Sequence, residues 1–436
     1  MSNKRIVIVG AGLAGLSAAR YLHTQGIPFV LFEQESSVGG LCRSKKIAGF
    51  TFDCDGHLLH FKRKGMFSFV RRLLSDNLIE HRRSAWVYSY GRFCRYPFQA
   101  NLYGLPPSVV KECLLGLMER PCSQQGGGKK QKNFYRWILG TFGRGIARHF
   151  MVPYNRKFWT VPPQDLTCDW LEGVVPVPSV PQIVEGTLKP NRRQYGYNVR
   201  FWYPRQGGIQ QLPLALAKGL SNIRTRARVT QIDTTHKTVR LSSGDREPYD
   251  CLISTAALPQ MGRIIKAAPA QVQRCCARLR WNSIYNLNLG IARKNDLKAH
   301  WVYFPQEETS FFRVGFYDNI SRTLAPHGNS SMYVEAAYSC AHTPDKKLLT
   351  RRIKKDLERI GLLRRKENII ASEVNDIRYG YPIYDAAYAQ AREYLLQYLE
   401  SLKIFPAGRY GSWRYFSMED AIADGIRAAK MAEKYV

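Results

Sequence analysis

The sequence predicts an α/β protein in which a Rossmann-like domain is combined with a helical lobe and an antiparallel β-sheet domain. A short β-branched run, Ile6–Val9, leads through a glycine-rich turn into an alanine-rich segment, which is typical of the first domain. Apolar residues at helical spacing over residues 107–118 and 132–148 predict the helical lobe. Short runs of Tyr, Phe and Val over residues 282–337 predict the sheet. The chain of 436 residues is long enough for two or three such units.

The first domain is expected to begin with a βαβ unit. The strand Ile6–Val9 stops at Gly10, and an amphipathic helix follows over residues 16–25. A second strand over residues 28–32 ends on Glu33. Strand, glycine-rich turn, helix and strand within about thirty residues are the pattern of this unit.

Later segments complete the predicted order of elements. The polar, glycine-rich residues 122–132 predict a loop inside the helical region. Residues 223–256 predict a β-hairpin that returns to the first domain. Residues 346–360 predict a basic amphipathic helix, and residues 418–435 predict an alanine-rich helix.

Each residue of the glycine-rich turn has a physical role in holding a dinucleotide. Gly10 permits the tight turn after the strand, Gly12 lets a pyrophosphate approach the backbone, and Gly15 lets the helix pack on the strand. The N-terminus of the helix then presents free N–H groups to the phosphates. Glu33 ends the second strand, where a carboxylate accepts hydrogen bonds from ribose hydroxyls and repels the 2′-phosphate of NADP.

A second glycine pair identifies the dinucleotide as FAD. Gly39 and Gly40 follow shortly after Glu33, and this arrangement resembles FAD enzymes of the amine-oxidase and glutathione-reductase type. The two glycines allow a loop to run close to the phosphates of the cofactor, and Arg43 can neutralise their charge.

The predicted elements divide the chain into three units. The FAD-binding domain is expected to combine residues 1–74, 196–258 and 376–436. The helical substrate-binding lobe is expected over residues 99–195, and the antiparallel sheet domain over residues 75–98 and 259–375.

The charge of the chain favours anionic partners. It has 65 Lys and Arg residues against 34 Asp and Glu residues, a formal net charge of +31. Such a field speeds the capture of anions, and nucleic acid, an anionic membrane and a phosphorylated small molecule all fit it. The basic residues are spread along the chain and match no nucleic-acid-binding motif, so a small anionic molecule is the expected partner.

Cysteine usage and hydropathy indicate a soluble cytoplasmic enzyme. The ten cysteines form no Cys-x-x-Cys pair, which predicts free thiols in a reducing compartment. No apolar run is long enough to span a bilayer, and the first residues lead directly into a strand. Cys54, His57 and His60 have a spacing that could hold a metal, but no fourth ligand lies nearby, so no metal site is expected.

Several later motifs resemble the UDP-galactopyranose mutases, especially their eukaryotic branch. They occur in the order of that family over nearly the whole chain. They lie at residues 55–60, 95–101, 153–162, 303–313, 379–382 and 408–415.

The resemblance implies a specific chemistry. In that family FAD is active in its reduced form, and its N5 atom attacks the anomeric carbon of a sugar nucleotide during interconversion of pyranose and furanose rings. NAD(P)H is a candidate reductant. His57, Arg313 and Arg409 match the family's residues at the reaction centre.

The resemblance also implies the binding residues. Substrate binding is implied for Tyr96, Gln99, Asn155, Trp159, Tyr303, Arg313, Tyr381 and Tyr415. Cofactor binding is implied for Gly10, Gly12, Gly15, Glu33, Gly39, Gly40, Arg43, His57, Val229, Arg409 and Met418.

Two positions depart from the family pattern. Val174 stands where the family has a second diphosphate-binding arginine, and Ala100 stands where it has a second amide. Loss of one arginine fork weakens binding by about 1.5–3 kcal/mol. Other arginines are candidates to replace the missing charge, namely Arg156, Arg192, Arg193 and Arg200.

Two other functions remain open. The N-terminal signature and Val174 are compatible with an FAD-dependent oxidase or dehydrogenase of the amine oxidase or protoporphyrinogen oxidase type. The net charge of +31 is compatible with a catalytically silent flavoprotein that binds polyanions. The mutase interpretation requires a small anionic sugar nucleotide as the partner.

Overall fold

The computed structural model describes residues 5–120, 131–171, 173–191, 193–196, 198–364 and 368–436. The loop expected at residues 122–132 lies almost entirely outside these segments, and so does the candidate Arg192. All nine cysteines in the described segments are free thiols.

The described residues form nineteen strands. In chain order they are β1 (Ile6–Val9), β2 (Phe29–Phe32), β3 (Ser44–Ile47), β4 (Phe50–Asp53), β5 (Ile79–Arg82), β6 (Ala85–Ser89), β7 (Arg92–Arg95), β8 (Arg200–Tyr203), β9 (Ile223–Arg224), β10 (Val229–Asp233), β11 (Thr238–Leu241), β12 (Arg246–Pro248), β13 (Cys251–Ser254), β14 (Trp281–Ile291), β15 (Trp301–Tyr303), β16 (Arg313–Phe316), β17 (Ser330–Ser339), β18 (Ile369–Pro382) and β19 (Ile404–Pro406).

They also form fourteen α-helices. In chain order these are α1 (Leu13–Thr24), α2 (Lys64–Leu74), α3 (Pro107–Met118), α4 (Phe134–Ile146), α5 (Val152–Trp159), α6 (Val180–Leu188), α7 (Gln211–Ala217), α8 (Met261–Ile264), α9 (Ala270–Arg278), α10 (Tyr317–Ile320), α11 (Lys346–Arg359), α12 (Tyr388–Ser401), α13 (Gly408–Gly411) and α14 (Met418–Glu433).

The Rossmann-like prediction is confirmed by a five-stranded parallel sheet. Its strand order is β19-β13-β1-β2-β9. The strands β2 and β13 are completely buried, as expected for a parallel sheet that is covered on both faces. Helix α1 packs against α14, so the N-terminal and C-terminal segments complete one domain. The helix α1 begins at Leu13, three residues earlier than the apolar periodicity indicates.

The second sheet has seven strands in the order β18-β14-β17-β16-β15-β6-β7. Its neighbours are antiparallel, as predicted, except that β15 pairs with β6 in parallel. Helix α11 covers one face through Ile353 and Leu357, which are fully buried. Strand β18 runs to Pro382, because its ladder with β14 continues as far as the pair Trp281–Pro382. The domain boundary expected at residue 376 therefore falls inside a strand.

The helical lobe differs from the prediction at one glycine. A single helix is expected over residues 132–148, but Gly143 has φ 75° and ψ 175° and interrupts the turn of α4. A Cβ atom at Gly143 would lie 1.9 Å from the carbonyl oxygen of Gly116, so the break lets α4 pack closely on α3. A π-helical turn, Ala147–Met151, then leads into α5. The break thereby sets the direction of the helix that carries Asn155 and Trp159.

The lobe, the seven-stranded sheet and the Rossmann-like domain surround one large cavity. In the segments that the structure describes, no helix combines the length and the apolar composition needed to cross a membrane.

Candidate active site

The glycine-rich turn forms one end of the site. Gly10 has a φ of 95°, which favours glycine, and a Cβ atom at Gly15 would lie 1.9 Å from the carbonyl oxygen of Gly10. The second glycine pair meets this turn, because a Cβ atom on Gly40 would lie 3.1 Å from the Cα atom of Gly12. Gly39 donates its N–H to the carbonyl oxygen of Ala11 at 2.8 Å. The two segments present bare backbone side by side, as a dinucleotide pyrophosphate requires.

Glu33 is fixed at the end of β2 beside this turn. Its carboxylate accepts hydrogen bonds from the backbone N–H groups of Ala11 at 2.6 Å and Glu35 at 2.9 Å. The side chain is 5% exposed. A buried carboxylate next to the turn suits the ribose hydroxyls of an adenine nucleotide.

Arg43 and Val229 lie at the edge of this region. Arg43 donates its Nε to the carbonyl oxygen of Gly40 at 2.9 Å and pairs with Glu35 at 3.2 Å, so Glu35 offsets part of its charge. Val229 is the first residue of β10 and is half-buried. It follows Ala227, whose N–H donates to the carbonyl oxygen of Glu33 at 2.7 Å. Both residues are on the Glu33 side of the turn and do not line the large cavity.

The cavity has a volume of about 840 Å³ and brings together the expected residues of the reaction centre and the substrate site. Its lining includes His57, Tyr96, Gln99, Asn155, Trp159, Tyr303, Arg313, Tyr381, Arg409, Tyr415 and Met418. These residues come from all three parts of the fold and are separated by up to several hundred residues in the chain. The expected cofactor glycines lie outside this lining, at the separate glycine-rich end.

A rigid loop presents His57 to the cavity. Asp55 accepts hydrogen bonds from the N–H of Gly56 at 2.8 Å and from Asn286 at 3.2 Å. A side chain at Gly56 would enter the ring of Tyr333, because its Cβ atom would lie 2.4 Å from that ring. His57 Nδ1 donates to the carbonyl oxygen of Asp55 at 3.1 Å. Burial lowers the pKa of His57, so the ring is neutral and its Nε2 carries a lone pair.

Arg313 is held by a carboxylate that the sequence reasoning missed. Arg313 on β16 is in register with Glu335 on β17, and its Nε and Nη2 donate to the two carboxylate oxygens of Glu335. Glu335 is completely buried. Burial lowers the pKa of Arg313, but Glu335 and the neighbouring Tyr333 raise it above its usual range, so the guanidinium stays charged. Its Nη1 forms no hydrogen bond with a described residue and is the donor edge left for a ligand.

A signal for Glu335 was present in the sequence. It is an acid in the middle of the apolar run Ser330–Ser339, and a buried acid in such a strand usually has a positively charged partner. What the sequence alone does not give is the register that places it opposite Arg313.

Arg409 lies against the stacked rings of Tyr381 and Tyr415 in the cavity wall. Its Nε and Nη2 donate to the carbonyl oxygen of Phe416 at 3.0 and 2.7 Å, and its guanidinium lies 4.9 Å above the ring of Tyr381. The rings of Tyr381 and Tyr415 stack at 5.3 Å. Burial lowers the pKa of Arg409, but the surrounding tyrosine hydroxyls together have the larger effect and raise it above its usual range. This guanidinium is therefore also charged.

Trp159 is the most deeply placed aromatic residue of the cavity wall. It is fully buried and packs on Trp170 at 4.9 Å between ring centroids. The Nε1 atom of Trp159 and the Oε1 atom of Gln99 are buried and have no hydrogen-bond partner among the described residues. Such atoms destabilise the free protein by about 1–3 kcal/mol each unless a ligand or water satisfies them. Asn155 differs, because its Nδ2 donates to the carbonyl oxygen of Met151 at 2.7 Å.

Val174 lines the cavity, but the arginines expected to compensate for it do not. Arg156 lies 4.0 Å from Glu307, Arg193 lies 3.6 Å from Glu185, and Arg200 lies 2.9 Å from Glu80. These three are exposed and outside the lining, so they are not placed to supply the missing charge. Two other arginines, Arg392 and Arg414, do line the cavity, and the sequence reasoning missed both.

Two protein families match the chain. Residues 8–73 match the NAD(P)-binding Rossmann-like domain. Residues 183–431 match the flavin containing amine oxidoreductases, and this match covers more than half of the chain. The chain belongs to the flavin-containing amine oxidoreductase family. The glycine geometry and the buried Glu33 fit the FAD that this family uses.

Within this flavoprotein family the chain resembles the UDP-galactopyranose mutases. A crystal structure of reduced UDP-galactopyranose mutase superposes with a TM-score of 0.93 and 27% identity, covering 99% of this chain and 96% of that one. A protein of Klebsiella pneumoniae described as a probable UDP-galactopyranose mutase is 24% identical over 177 residues, which are 39% of this chain and 45% of that protein. The chain is therefore a UDP-galactopyranose mutase-like flavoprotein.

Oxidoreductases of the family are also similar. The zeta-carotene-forming phytoene desaturase of Myxococcus xanthus is 26% identical over 377 residues, which are 76% of this chain and 71% of the desaturase. A desaturase and a mutase catalyse different types of reaction, so these relatives share no single activity.

Proposed function

We propose that this flavoprotein is a sugar-nucleotide mutase that interconverts the pyranose and furanose forms of a nucleoside diphosphate sugar. The observation that carries the proposal is the joint placement of Arg313, Trp159 and the tyrosines 303, 381 and 415 around one cavity. When bound and reduced, FAD supplies a nucleophilic nitrogen for the anomeric carbon of the sugar. The protein must then bind the diphosphate, hold the nucleobase and orient the sugar.

Arg313 is suited to the diphosphate. The ion pair with Glu335 fixes the plane of the guanidinium and leaves Nη1 as a donor, and three tyrosine hydroxyls lie around the same cavity. Charge-assisted hydrogen bonds to phosphate oxygens strengthen as the diphosphate leaves the sugar and gains negative charge. Arg313 therefore both binds the substrate and stabilises the leaving group.

Trp159 and Gln99 are suited to the nucleobase. One offers an unpaired donor and the other an unpaired acceptor, and a uracil ring carries carbonyl acceptors and an N–H donor. The neighbouring ring of Tyr96, 4.9 Å from that of Tyr303, adds an aromatic surface for stacking.

His57 and Arg409 are suited to the sugar end. The neutral ring of His57 keeps its proton on Nδ1, donated to the Asp55 carbonyl, so its Nε2 can accept a proton from a hydroxyl. Arg409 holds a fixed positive charge beside Tyr381. Both residues are on rigid backbone, which fixes their position relative to the substrate.

A second candidate function is an FAD-dependent oxidase or dehydrogenase, favoured by the similarity to the Myxococcus xanthus desaturase. The charges of the cavity weigh against hydrocarbon and amine substrates. Arg313 and Arg409 are both charged in its wall. A hydrocarbon would leave the charge of Arg409 without a counter-charge, and a cationic amine would be repelled by it.

The proposal is tested by turnover with reduced holoenzyme. The protein is reduced with dithionite without oxygen and incubated with UDP-galactopyranose, UDP-glucose and further nucleoside diphosphate sugars, and the products are separated by chromatography. An isomer formed by the reduced but not the oxidised protein is expected. Neither binding nor isomerisation of any sugar nucleotide, together with oxygen consumption on amines or porphyrinogens, would establish the oxidase instead.

The physiological reductant is tested separately. We propose that NADH or NADPH reduces the bound FAD and that the enzyme acts in carbohydrate biosynthesis in the cytoplasm. Loss of the absorbance of oxidised flavin on anaerobic addition of either nicotinamide is expected. An unchanged flavin spectrum with both compounds would assign reduction to another donor.

A further inference from the structure

The segment that carries Val174 lines the cavity. Asp169, Trp170, Val174 and Val175 line the cavity from this segment. Just before it, the N–H of Thr167 donates to the carbonyl oxygen of Tyr384 at 2.7 Å. The segment is therefore attached to the chain that leads into helix α12.

Two arginines from α12 and from the loop after α13 line the same cavity. Arg392 is on α12 and Arg414 follows α13, and both line the cavity. The Nε atom of Arg392 donates to the carbonyl oxygen of Ser412 at 2.7 Å, which ties the two segments together. The N–H of Tyr415 donates to the hydroxyl of Tyr384 at 2.6 Å and holds Arg414 near the segment of Val174.

Neither of these two arginines forms an ion pair with a described carboxylate, and Asp424 acts on Arg392 only from a longer distance. Neither Arg392 nor Arg414 has a carboxylate of a described residue within 4.0 Å. Burial lowers the pKa of Arg392 and so does the nearby charge of Arg414, whereas Tyr388 and Asp424 raise it. Two like charges that line one cavity and have no ion-pair partner among the described residues favour the binding of an anion.

The acidic residues of the lining are engaged elsewhere or lie at exposed positions of α12. Asp169 accepts a hydrogen bond from Thr167 at 2.9 Å. Asp420 caps α14 through Ser417 and pairs with Arg63 at 3.1 Å. Glu393 and Glu400 are on exposed positions of α12. None of these four lies within ion-pair distance of Arg392 or Arg414.

We propose that Arg392 and Arg414 form an anion subsite that takes over the diphosphate contact absent at Val174. This inference rests on the proposed sugar-nucleotide function. Tyr415 adjoins Arg414 in the chain and stacks on Tyr381, so the subsite continues the surface that carries Arg313 and Arg409. The diphosphate is then held from α12 and the loop after α13, and not from the segment of Val174.

The test measures the binding of UDP and of uridine to the oxidised holoenzyme by titration calorimetry. The variants are Arg392→Gln, Arg414→Gln and the double variant. Arg240→Gln is the matched control, because Arg240 is an exposed arginine of β11 outside the cavity. Each single variant is expected to bind UDP about tenfold more weakly, and the double variant more weakly still, because a charge-assisted hydrogen bond is lost. Uridine, which lacks the diphosphate, is expected to bind all of them equally.

A substitution that restores the missing arginine provides a second test of the subsite. Val174→Arg in the double variant is expected to recover at least tenfold of the UDP affinity. Flavin absorbance and melting temperature verify that each variant is folded and loaded with FAD.

The outcomes separate this inference from the proposed function. UDP affinity in the double variant equal to that of Arg240→Gln overturns the subsite alone, and so does an equal loss of uridine affinity. Failure of the wild-type holoenzyme to bind UDP or any other nucleoside diphosphate overturns the proposed function together with the subsite.

Discussion

Single residues determine what the site can bind. The backbone at Gly12 and Gly40 is open because neither residue has a side chain. The spacing of these glycines in the sequence predicts that a dinucleotide approaches the backbone here. The pairing of Arg313 with Glu335 cannot be predicted from the sequence, because it depends on the register between β16 and β17. The same holds for Arg392 and Arg414, which meet only after α12 packs beside the loop that follows α13. Sequence motifs therefore predict the residues of a known pattern, whereas tertiary packing brings together residues that no motif indicates.

Gly12→Ala is expected to fold but to lose most of its FAD. The nearest atom to a Cβ at Gly12 is the Cα atom of Gly40 at 4.0 Å, so the protein itself can accommodate the methyl group. A pyrophosphate that approaches this backbone cannot. The ratio of flavin to protein absorbance after purification measures the effect. Gly65→Ala is the control, because its Cβ would have open space on α2, and full flavin content in Gly12→Ala would contradict the assignment of the turn.

Glu335→Ala is expected to destabilise the protein by about 3–5 kcal/mol, because it leaves a buried guanidinium without its counter-charge. The melting temperature of the holoenzyme should fall by several degrees. Glu335→Gln keeps an oxygen acceptor for Arg313, so its melting temperature is expected to fall less than that of Glu335→Ala. Equal melting temperatures for Glu335→Ala and the wild type would show that Arg313 is not held by this ion pair.

Individual elements show where local pattern and tertiary structure disagree. The βαβ unit and the helices α3, α11 and α14 follow apolar periodicity, since each buries one face. Helix α4 departs from its apolar periodicity. The periodicity predicts one continuous helix, but the close approach of Gly143 to Gly116 interrupts it. The end of β18 is similar, since only its partner β14 shows that the strand continues to Pro382. Boundaries that depend on a distant partner cannot be read from one segment.

Buried His300, which lies just before β15 and packs against β8, is expected to make the stability of the protein depend on pH. His300 packs edge-on against Phe201 at 4.8 Å, and its Nδ1 accepts a hydrogen bond from the N–H of Ser84 at 2.9 Å. Burial and, to a smaller extent, the neighbouring His81 lower the pKa of His300 from 6.5 to about 4. Between these two values the unfolded chain binds more protons, so the free energy of unfolding falls as the pH falls through this range.

Melting temperatures measured from pH 7 to pH 4 check this dependence. His300→Gln keeps an acceptor for Ser84 without a titrating group and is expected to show a smaller decrease than the wild type. His327→Gln is the control, since His327 is exposed. A wild-type profile that His300→Gln leaves unchanged would assign the acid sensitivity to other groups.

The whole molecule combines a strongly basic chain with a cavity whose buried arginines are charged. The net charge of +31 alone left nucleic acid, membranes and small anions open. The placement of Arg313, Arg409, Arg392 and Arg414 around one cavity favours a small polyanion among these. The fold class and the cofactor were predictable from the sequence, because the glycine turn is local. The charge distribution around the cavity required the complete fold.

The association rate of UDP with the holoenzyme is expected to decrease as the salt concentration rises. The field of a basic protein attracts an anion over a distance that shrinks from about 10 Å at 0.1 M salt to about 3 Å at 1 M. Stopped-flow measurements at several ionic strengths give the rate. Uridine is the uncharged control and is expected to associate at a rate that is independent of salt, and an equally flat response for UDP would exclude electrostatic steering.

The position of Trp159 also gives the cavity a built-in optical signal. Its indole lies in the cavity wall, 4.9 Å from that of Trp170, with the N–H of each ring buried and unpaired among the described residues. Indole emission is sensitive to hydrogen bonding at this N–H and to an aromatic base stacked beside it. Occupation of the cavity by a nucleotide should therefore change the intrinsic fluorescence of the unlabelled protein, and a Trp159→Phe variant should lose that change.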